Sequence, residues 1–539
     1  MRKKNILTKG KKAKAEQLAL SNHLVEAGVL FASVCKTDPL DVEAWVKLAV
    51  IRCRLGQYAE AESCARRALR LEPNLAFAQQ TLATILQYQG KAEDASAVLE
   101  SGLAQRPNSS ERLLNLAAMR DKQGRVEEAF KLYHRALDLQ PDSPYVLAKQ
   151  GDLLEKEGRL VESEDIIARG LAREPGHPDL NLVAARLDRR AGRHAQAAAR
   201  LEAVLHLPMS PDTGADIHIL LGQLHDLLGN TSKVLPHLLA GKRRLALDMD
   251  PDGRVRARFL AWIDTNRAWL SERLVAAPQS ALASAEETPI FLIGFLRSGT
   301  TLLEQVLDSH PRLQALNEKP MGEVMEDAFC VMTQGKPDAL ANLSEEQIAS
   351  LRQVYWREAA RHGDRQANTL LVDKQPFNII RVPLLWRVFP RARFILTIRH
   401  PCDIVLGCLM QKFGYNNLMS AFANLEGIAE LYSHVMNAWL EYAQRLPLYW
   451  QRIRYEDLIT NFEAETHALL EFLGVGWSDT VLEHTQHAQQ RGIINTPSYH
   501  QVIQPLYQHA KYRWKRYETE LAPIVEMLQP LIERFGYAE

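Results

Sequence analysis

A period of 34 residues runs through the first half of the chain. Proline, glycine and two small-residue positions recur with this spacing and stay in register with one another. Each period predicts a helix, a turn at the glycine, a second helix and a stop before the proline. The members are Pro39, Pro73, Pro107, Pro141 and Pro175; Gly56, Gly90, Gly124, Gly158 and Gly192; Ala61, Ala95, Ala129, Ser163 and Ala197; and Ala68, Gly102, Ala136 and Gly170.

This pattern resembles the tetratricopeptide repeat, whose period is also 34 residues. The resemblance covers about residues 8–247, with a degenerate first unit and a last unit in which Gly192 and Gly229 are 37 residues apart. It implies an all-α superhelix whose concave face binds a peptide or protein. A spacer or dimerisation arm without a ligand is the alternative. Residues 42–73 show the motif best, with Trp45, Leu48, Gly56, Tyr58, Ala61, Ala68 and Pro73.

The segments that flank the repeats lack this period. Residues 1–15 contain seven Lys or Arg and no acidic residue, so we expect a solvated basic tail; contact with an anionic surface is the minor interpretation. Residues 255–274 have helical apolar spacing, and the small, polar stretch that follows predicts a linker. We therefore expect a tail over 1–15, repeats over 16–247, a helix and linker over 248–288, and a second domain over 289–539.

Composition excludes several classes of protein. Among 539 residues, Lys plus Arg equals Asp plus Glu at 65 each, which argues against a nucleic-acid binder. The six cysteines show neither a CxxC pair nor disulfide-like spacing, which favours a reducing, cytoplasmic location. No apolar run reaches the roughly 18 residues that a membrane span needs, so we expect no integral membrane segment.

A strand, a loop and a helix open the second half. Residues 290–294 are apolar and predict a buried strand, and residues 301–307 predict a helix with one apolar face. The loop between them, residues 297–301, reads Arg-Ser-Gly-Thr-Thr. A helix start with hydroxyls and a guanidinium suits a dianionic ligand. Because Gly-Lys-Ser/Thr is missing, this is not the standard ATP-binding loop.

Further strands are predicted over residues 370–372, 394–398 and 448–453, with helical patterns between them. Alternating strands and helices indicate a parallel sheet with helical crossovers. Ser344 and Gln347 form a capping box that starts one of these helices. The sequence therefore predicts an α/β domain with a P-loop-like parallel sheet after the all-α repeats.

Six motifs in this half, taken in order, resemble a sulfotransferase. The similarity is greatest to the bacterial class that joins tetratricopeptide repeats to a domain like tyrosylprotein sulfotransferase, and it covers about residues 289–537. It implies transfer of a sulfuryl group from 3′-phosphoadenosine-5′-phosphosulfate (PAPS) to an acceptor hydroxyl, without a metal. The motifs are Arg297–Thr301, Asn317–Pro320, Asp373–Asn378, Arg399–Asp403, Arg454–Leu458, and Ser498–Pro505 with Arg513 and Trp514.

The resemblance also implies roles for individual residues. Glu318 would be the catalytic base, with Glu323 as its local rival. Lys374 and Ser498 would stabilise the transferring group. The residues that would bind the donor are Arg297, Ser298, Gly299, Thr300 and Thr301 at the phosphosulfate, Arg399 at the 3′-phosphate, Tyr455 near the adenine, and Ser498 and Arg513 on a closing loop.

The fourth motif departs from the family pattern, which has Arg-Asp-Pro-basic followed by a serine eight residues after the arginine. Here His400 and Cys402 occupy two of these positions and Gly407 replaces the serine. This departure motivates a second hypothesis, an interaction scaffold with an inactive PAPS-binding domain. A nucleotide kinase is a third, opposed by the missing Gly-Lys-Ser/Thr. The acceptor stays open among a peptide tyrosine, a sugar, a lipid and a metabolite, with the repeats favouring a peptide or protein.

Overall fold

The computed structural model describes residues 2–20, 23–250, 253–277, 288–366, 368–413, 421–490 and 511–537. The chain divides into two compact units, residues 1–255 and residues 256–539. Among the described residues, the first unit is entirely helical and the second contains a parallel sheet with helices. The predicted fold class is therefore confirmed. No helix in these described ranges is long and apolar enough to cross a membrane.

The first unit consists of helices that pack against their neighbours along the chain. Its helices are α1 (Arg2–Leu20), α2 (Leu24–Thr37), α3 (Val42–Arg54), α4 (Tyr58–Leu71), α5 (Ala76–Tyr88), α6 (Ala92–Gln105), α7 (Ser110–Lys122), α8 (Val126–Leu139), α9 (Pro144–Lys156), α10 (Leu160–Arg173), α11 (Pro178–Arg190), α12 (His194–Val204), α13 (Pro211–Leu227) and α14 (Thr231–Met249).

The repeated glycines and small residues have the local roles that the period predicts. Each repeated glycine adopts a positive φ, from 71° at Gly56 to 76° at Gly90, which favours glycine in the turn between paired helices. The first small-residue ladder is fully buried. A methyl group on Gly102 would collide with Gln79 of the same repeat, and one on Gly170 would collide with Leu180 of the next repeat. Small side chains therefore set how closely the helices approach.

The N-terminal segment differs from the expected basic tail. Residues 2–20 form helix α1, which packs against α2. Lys12 lies 3.1 Å from Asp41 and also pairs with Glu43, and Ala15 is fully buried. Pairing with the acidic start of α3 gives the basic residues a structural role that charge counting does not reveal.

The second unit is a parallel sheet with helices. Its strands are β1 (Ile290–Gly294), β2 (Leu313–Asn317), β3 (Leu370–Lys374), β4 (Arg393–Ile398) and β5 (Tyr449–Arg454). Its helices are α15 (Arg254–Ala268), α16 (Glu272–Ala276), α17 (Thr300–Asp308), α18 (Met321–Thr333), α19 (Glu345–Ala360), α20 (Val382–Val388), α21 (Pro401–Leu409), α22 (Leu425–Arg445), α23 (Tyr455–Thr460), α24 (Phe462–Phe472), α25 (His484–Gln490) and α26 (Glu518–Arg534).

In the described residues the sheet has five strands in the order β2-β3-β1-β4-β5, and every recorded pairing is parallel. Asn317 is in register with Lys374, Gly294 with Thr397, and Ile398 with Arg454. The carboxyl ends of all five strands therefore lie along one edge. In open α/β sheets this edge is where ligands bind.

Both faces of β1 are buried, which explains its continuous apolar sequence. Ile290 and Leu292 face the apolar side of α17, including Leu303. Phe291 points to the opposite face, where its ring lies 6.1 Å from the ring of Tyr355 on α19. Because successive strand residues alternate between faces, α17 and α19 cover opposite sides of the sheet.

Helix α15 makes polar contacts within the second unit. Trp262 Nε1 donates to Glu326 Oε1 at 2.6 Å, and Asn266 Nδ2 donates to the same oxygen at 3.0 Å. Arg267 also pairs with Glu441 on α22. Part of the expected helix-and-linker segment is thus packed against the sheet-containing unit. Residues 278–287, the core of the predicted linker, lie outside the described residues.

Candidate functional site

Each strand of the sheet delivers one sequence-predicted site residue to the carboxyl edge. Arg297 follows β1, Glu318 follows β2, Lys374 ends β3, Arg399 follows β4 and Tyr455 follows β5. Parallel pairing brings these strand ends together, although the residues span 159 positions of sequence, from 297 to 455. The topology therefore assembles a carboxylate, three cations and an aromatic ring along one edge.

Contacts of the buried Ser298 hydroxyl hold the loop after β1 in place. The fully buried Ser298 hydroxyl donates to the Phe295 carbonyl at 2.7 Å and lies 2.7 Å from the Thr397 hydroxyl on β4. Ser298 thus anchors the loop through its side chain. Arg297 and Gly299 adopt positive φ values of 68° and 103°, which turn the chain into α17 at Thr300. The first N–H groups of a helix have no partner within the helix and can bind an anion.

Tyr455 joins the loop to Arg399. A Cβ atom on Gly299 would lie 2.8 Å from Tyr455 Cδ2, so only glycine allows the loop backbone to approach this ring. The Arg399 guanidinium carbon lies 4.8 Å from the centre of the same ring. At this distance a cation is attracted to the aromatic face. The predicted phosphosulfate loop and the predicted 3′-phosphate ligand therefore contact the same aromatic ring.

Lys374 is surrounded by three side-chain oxygens. Its Nζ atom donates to Glu318 Oε1 at 2.6 Å and to Asn317 Oδ1 at 2.9 Å, and lies 3.4 Å from Glu304 Oε2. Lys374 and Glu304 are fully buried, whereas the Glu318 side chain is 39% exposed. Sequence reasoning did not find Glu304, which lies within the buried helix α17. Its carboxylate directly after the apolar Leu302-Leu303 pair was the available signal.

Glu318 is held at this position by its backbone. Its φ is 48°, and its N–H donates to the Lys374 carbonyl at 2.8 Å. The rival carboxylate, Glu323, lies instead 3.6 Å from Arg381. The structure thus brings Glu318, and not Glu323, against Lys374.

Asp373 faces away from this cluster because neighbouring strand residues point to opposite sides. It accepts hydrogen bonds from the Tyr355 hydroxyl at 2.8 Å and from Asn378 Nδ2 at 3.1 Å. Burial raises the pKa of Asp373 to about 7, against the opposing effect of the Tyr355 hydrogen bond. In the Asp373-Lys374 pair, therefore, the aspartate is bonded to α19 and the lysine to the candidate base.

Comparison with known proteins agrees with this geometry. Residues 289–479 match the profile of the sulfotransferase family, and three tetratricopeptide-repeat profiles match residues 42–75, 81–144 and 121–187. The second unit contains a domain of the sulfotransferase family. The first unit is a tetratricopeptide-repeat array.

Similar proteins match about half of this chain. An uncharacterised protein of Aquifex aeolicus is 31% identical over 253 residues, which are 45% of this chain and 32% of that protein. Protein-tyrosine sulfotransferase 2 of Gallus gallus is 28% identical over 47% of this chain and 70% of its own length. Protein-tyrosine sulfotransferase 1 of Danio rerio is 27% identical over 46% and 72%. This chain therefore spans about a third of the Aquifex relative.

In the sulfotransferase domain, the two unusual residues of the fourth motif have structural partners. His400 precedes α21, and its ring stacks on Trp514 with 4.8 Å between ring centres. The backbone N–H of His400 donates to Glu456 Oε1 at 2.9 Å, and the Glu456 carboxylate also accepts from the Tyr537 hydroxyl. Cys402 is fully buried, and burial raises the pKa of its thiol to about 12. His400 therefore packs against the C-terminal segment.

Gly407, the position of the missing serine, faces the Arg297 side chain. A Cβ atom at position 407 would lie 3.3 Å from Arg297 Cβ and 3.7 Å from its Nε. Any larger residue must displace Arg297 by a few tenths of an ångström. The absence of a side chain at Gly407 thus allows Arg297 to pack against α21.

The C-terminal segment reaches the same edge through Asp403. Asp403 Oδ2 lies 3.4 Å from the Arg399 guanidinium, and Asp403 Oδ1 accepts a hydrogen bond from the backbone N–H of Trp514 at 2.9 Å. Burial raises the pKa of Asp403, and the Arg399 guanidinium opposes this shift. Arg513 begins the short 3₁₀ helix that contains Trp514. Ser498, predicted to stabilise the transferring group, lies outside the described residues.

Proposed function

We propose that the sulfotransferase domain transfers a sulfuryl group from PAPS to an acceptor hydroxyl. The Lys374–Glu318 pair, with 2.6 Å between its charged atoms, carries the proposal. It joins a group that can accept a proton to a cation at the edge where Arg297 and Arg399 also lie. A base beside cations is what proton removal and charge stabilisation in this reaction require.

The donor's chemistry fits the residues present. Two arginines and the start of α17 offer charge and N–H donors to its phosphates, and Gly299 keeps the loop backbone against Tyr455. Arg297, Thr300 and Thr301 would hold the phosphosulfate, with Ser298 anchoring their loop. Arg399 would bind the 3′-phosphate. By resemblance, Tyr455, Ser498 and Arg513 would complete the donor site.

Glu318 takes the proton of the acceptor hydroxyl as the new oxygen–sulfur bond forms. The bond between sulfur and the 5′-phosphate oxygen breaks, and adenosine 3′,5′-bisphosphate leaves. Lys374 and Arg297 neutralise charge on the sulfuryl oxygens and the leaving phosphate; Ser498 adds a hydroxyl to this role. As in phosphoryl transfer, positioning and electrostatic stabilisation supply most of the catalysis. No protein-bound metal takes part in this scheme.

We propose a peptide tyrosine as the acceptor and a role for the repeats in recruiting the acceptor protein or a partner. The names of the Gallus gallus and Danio rerio relatives support the tyrosine, and repeat arrays present extended binding surfaces. We further propose a cytoplasmic site of action, because all six cysteines are free thiols.

Titration calorimetry with adenosine 3′,5′-bisphosphate, followed by transfer of labelled sulfate from PAPS to a tyrosine peptide, tests this function. Micromolar binding with transfer is the expected result. Binding without transfer to tyrosine, sugar or small-molecule acceptors would favour the alternative, an interaction scaffold with an inactive donor-binding domain, which Gly407 motivates. Absence of binding would overturn the donor assignment.

A further inference from the structure

Lys374 interacts with two carboxylates of different accessibility. Glu318 stands at the edge of the sheet with 39% of its side chain exposed, whereas Glu304 is fully buried on α17. Lys374 itself is fully buried. An ammonium has three N–H donors, and three side-chain oxygens surround this one: Glu318, Asn317 and Glu304.

The proposed reaction changes this arrangement. When Glu318 accepts a proton from the acceptor, it becomes neutral and its attraction to Lys374 weakens. A buried ammonium left without an anionic partner is strongly disfavoured. Glu304 keeps its charge next to Lys374 at that moment, because no acceptor can reach a fully buried carboxylate.

We propose that Glu304 is a positioning residue that holds and neutralises Lys374 while Glu318 carries the proton. This inference rests on the proposed function and deepens it. Asn317 supplies the second fixed contact, with 2.9 Å between its Oδ1 and Lys374 Nζ.

Glu304→Gln tests the proposal because it removes the charge and keeps the size of the side chain. Glu318 then becomes the single carboxylate of the cluster, and its pairing with Lys374 strengthens. The expected result is a fall in kcat of at least about tenfold and no more than the 10²–10⁴ that a general base contributes. Affinity for adenosine 3′,5′-bisphosphate should be unchanged or higher, since the site loses a negative charge.

A variant that restores the charge adds a readout that a structural role would not move. The charged groups of the cluster are Glu304, Glu318 and Lys374. Glu304→Asp, which restores the charge on a shorter side chain, should recover part of kcat. The KM for the donor should change little in either Glu304 variant, because the effect falls on the transfer step.

Glu358→Gln is the matched control, since Glu358 is also a largely buried helical glutamate but pairs with Arg361 and His362. It should leave kcat unchanged. An active wild type whose Glu304→Gln variant keeps the wild-type kcat would overturn the positioning role. Parallel losses of kcat, donor affinity and thermal stability would also overturn it, by indicating a structural role alone. An inactive wild type would instead refute the proposed function.

Discussion

Arg297 is the residue on which donor binding is expected to depend most. Arg297→Ala removes a guanidinium from the loop but no core volume, since Arg297 is only partly buried. Loss of a charge-assisted, bidentate contact should weaken bisphosphate binding by at least about ten- to a hundredfold. Calorimetry measures the affinity, and the far-ultraviolet circular dichroism should stay unchanged.

Arg297→Lys is the control for that experiment, because it keeps the charge and removes the planar fork. Its affinity should lie between those of the wild type and the alanine variant. An alanine variant that binds as tightly as the wild type would show that the loop does not contact the donor through Arg297.

Substitutions of Gly407 test whether the serine that is missing from the fourth motif would contribute to donor binding. Because a Cβ atom there would lie 3.3 Å from Arg297 Cβ, both Gly407→Ala and Gly407→Ser must displace the arginine by the same small amount. The serine variant alone adds a hydroxyl that can reach a phosphate. We expect Ser to bind the bisphosphate about ten- to a hundredfold more tightly than Ala, as a hydrogen bond to a charged group of about 1.5–3 kcal/mol implies.

This pair of variants separates steric and hydrogen-bonding effects. Equal affinities for Gly407→Ala and Gly407→Ser would mean that the hydroxyl does not reach the donor. Comparison of PAPS with adenosine 5′-phosphosulfate, which lacks the 3′-phosphate, then tests Arg399. Equal affinities for PAPS and adenosine 5′-phosphosulfate would refute the assignment of Arg399 as the 3′-phosphate ligand.

At the scale of elements, the contact between α13 and α14 should depend on pH. His218 Nδ1 lies 3.1 Å from His237 Nδ1, and the His237 ring stacks on His225. Burial lowers the pKa of His218 to about 4, with further contributions from Arg244 and His237, and it also lowers the pKa of His225 and His237. The neutral rings are therefore the form that suits this contact.

The folded-state pKa of His218 lies below the unfolded value of about 6.5. The neutral ring therefore contributes its full stabilisation above pH 6.5, and this stabilisation is lost as the pH falls toward 4. Hydrogen exchange in α13 and α14, corrected for intrinsic rates, should show roughly three- to tenfold less protection at pH 5.5 than at pH 7.5. His218→Gln, which cannot titrate, should reduce this difference. Equal protection of the wild type at both pH values would contradict the prediction.

At the scale of the whole molecule, α15 is expected to belong to the sulfotransferase unit. A fragment of residues 256–539 keeps the contacts of Trp262 and Asn266 with Glu326, whereas a fragment of residues 289–539 loses them. Glu326 also pairs with Arg381. The shorter fragment should unfold at least several degrees lower, as a loss of about 1–2 kcal/mol of buried hydrogen bonds implies.

Thermal unfolding of the two fragments measures this difference, and bisphosphate binding reports whether each is folded. Residues 1–255 should fold separately as a helical array, because each repeat contacts mainly its neighbours. Equal melting temperatures for the two sulfotransferase fragments would place α15 outside that unit. A random-coil spectrum for residues 1–255 would refute the division at residue 255.

Local signals account for the parts of the fold that sequence alone predicted. Helix pairs, turn glycines and the capping box at Ser344 depend on backbone angles and contacts within a few residues. Strands β1, β3 and β4 are buried on both faces, and each contains a run of at least three consecutive apolar residues. The predicted order of strands and motifs followed from these signals.

Long-range contacts explain what was missed. Strand β2 was not predicted because its five residues include Gln314 and Asn317, and pairing with β3 makes it a strand. Residues 1–15 were predicted as a tail, because the contact of Lys12 with Asp41 and Glu43 at the start of α3 lies about 30 positions away in the chain. Neither pairing leaves a periodic pattern within the segment itself.

The sequence by itself determined the 34-residue helical period, the buried strands and the residues at their carboxyl ends, because each follows from local backbone preference or burial. The tertiary structure alone decided that Glu304, 70 positions before Lys374 in the chain, lies 3.4 Å from its ammonium. It also decided that Glu318 rather than Glu323 pairs with that ammonium. Contacts across a parallel sheet depend on strand order and register, which no local pattern of residues records.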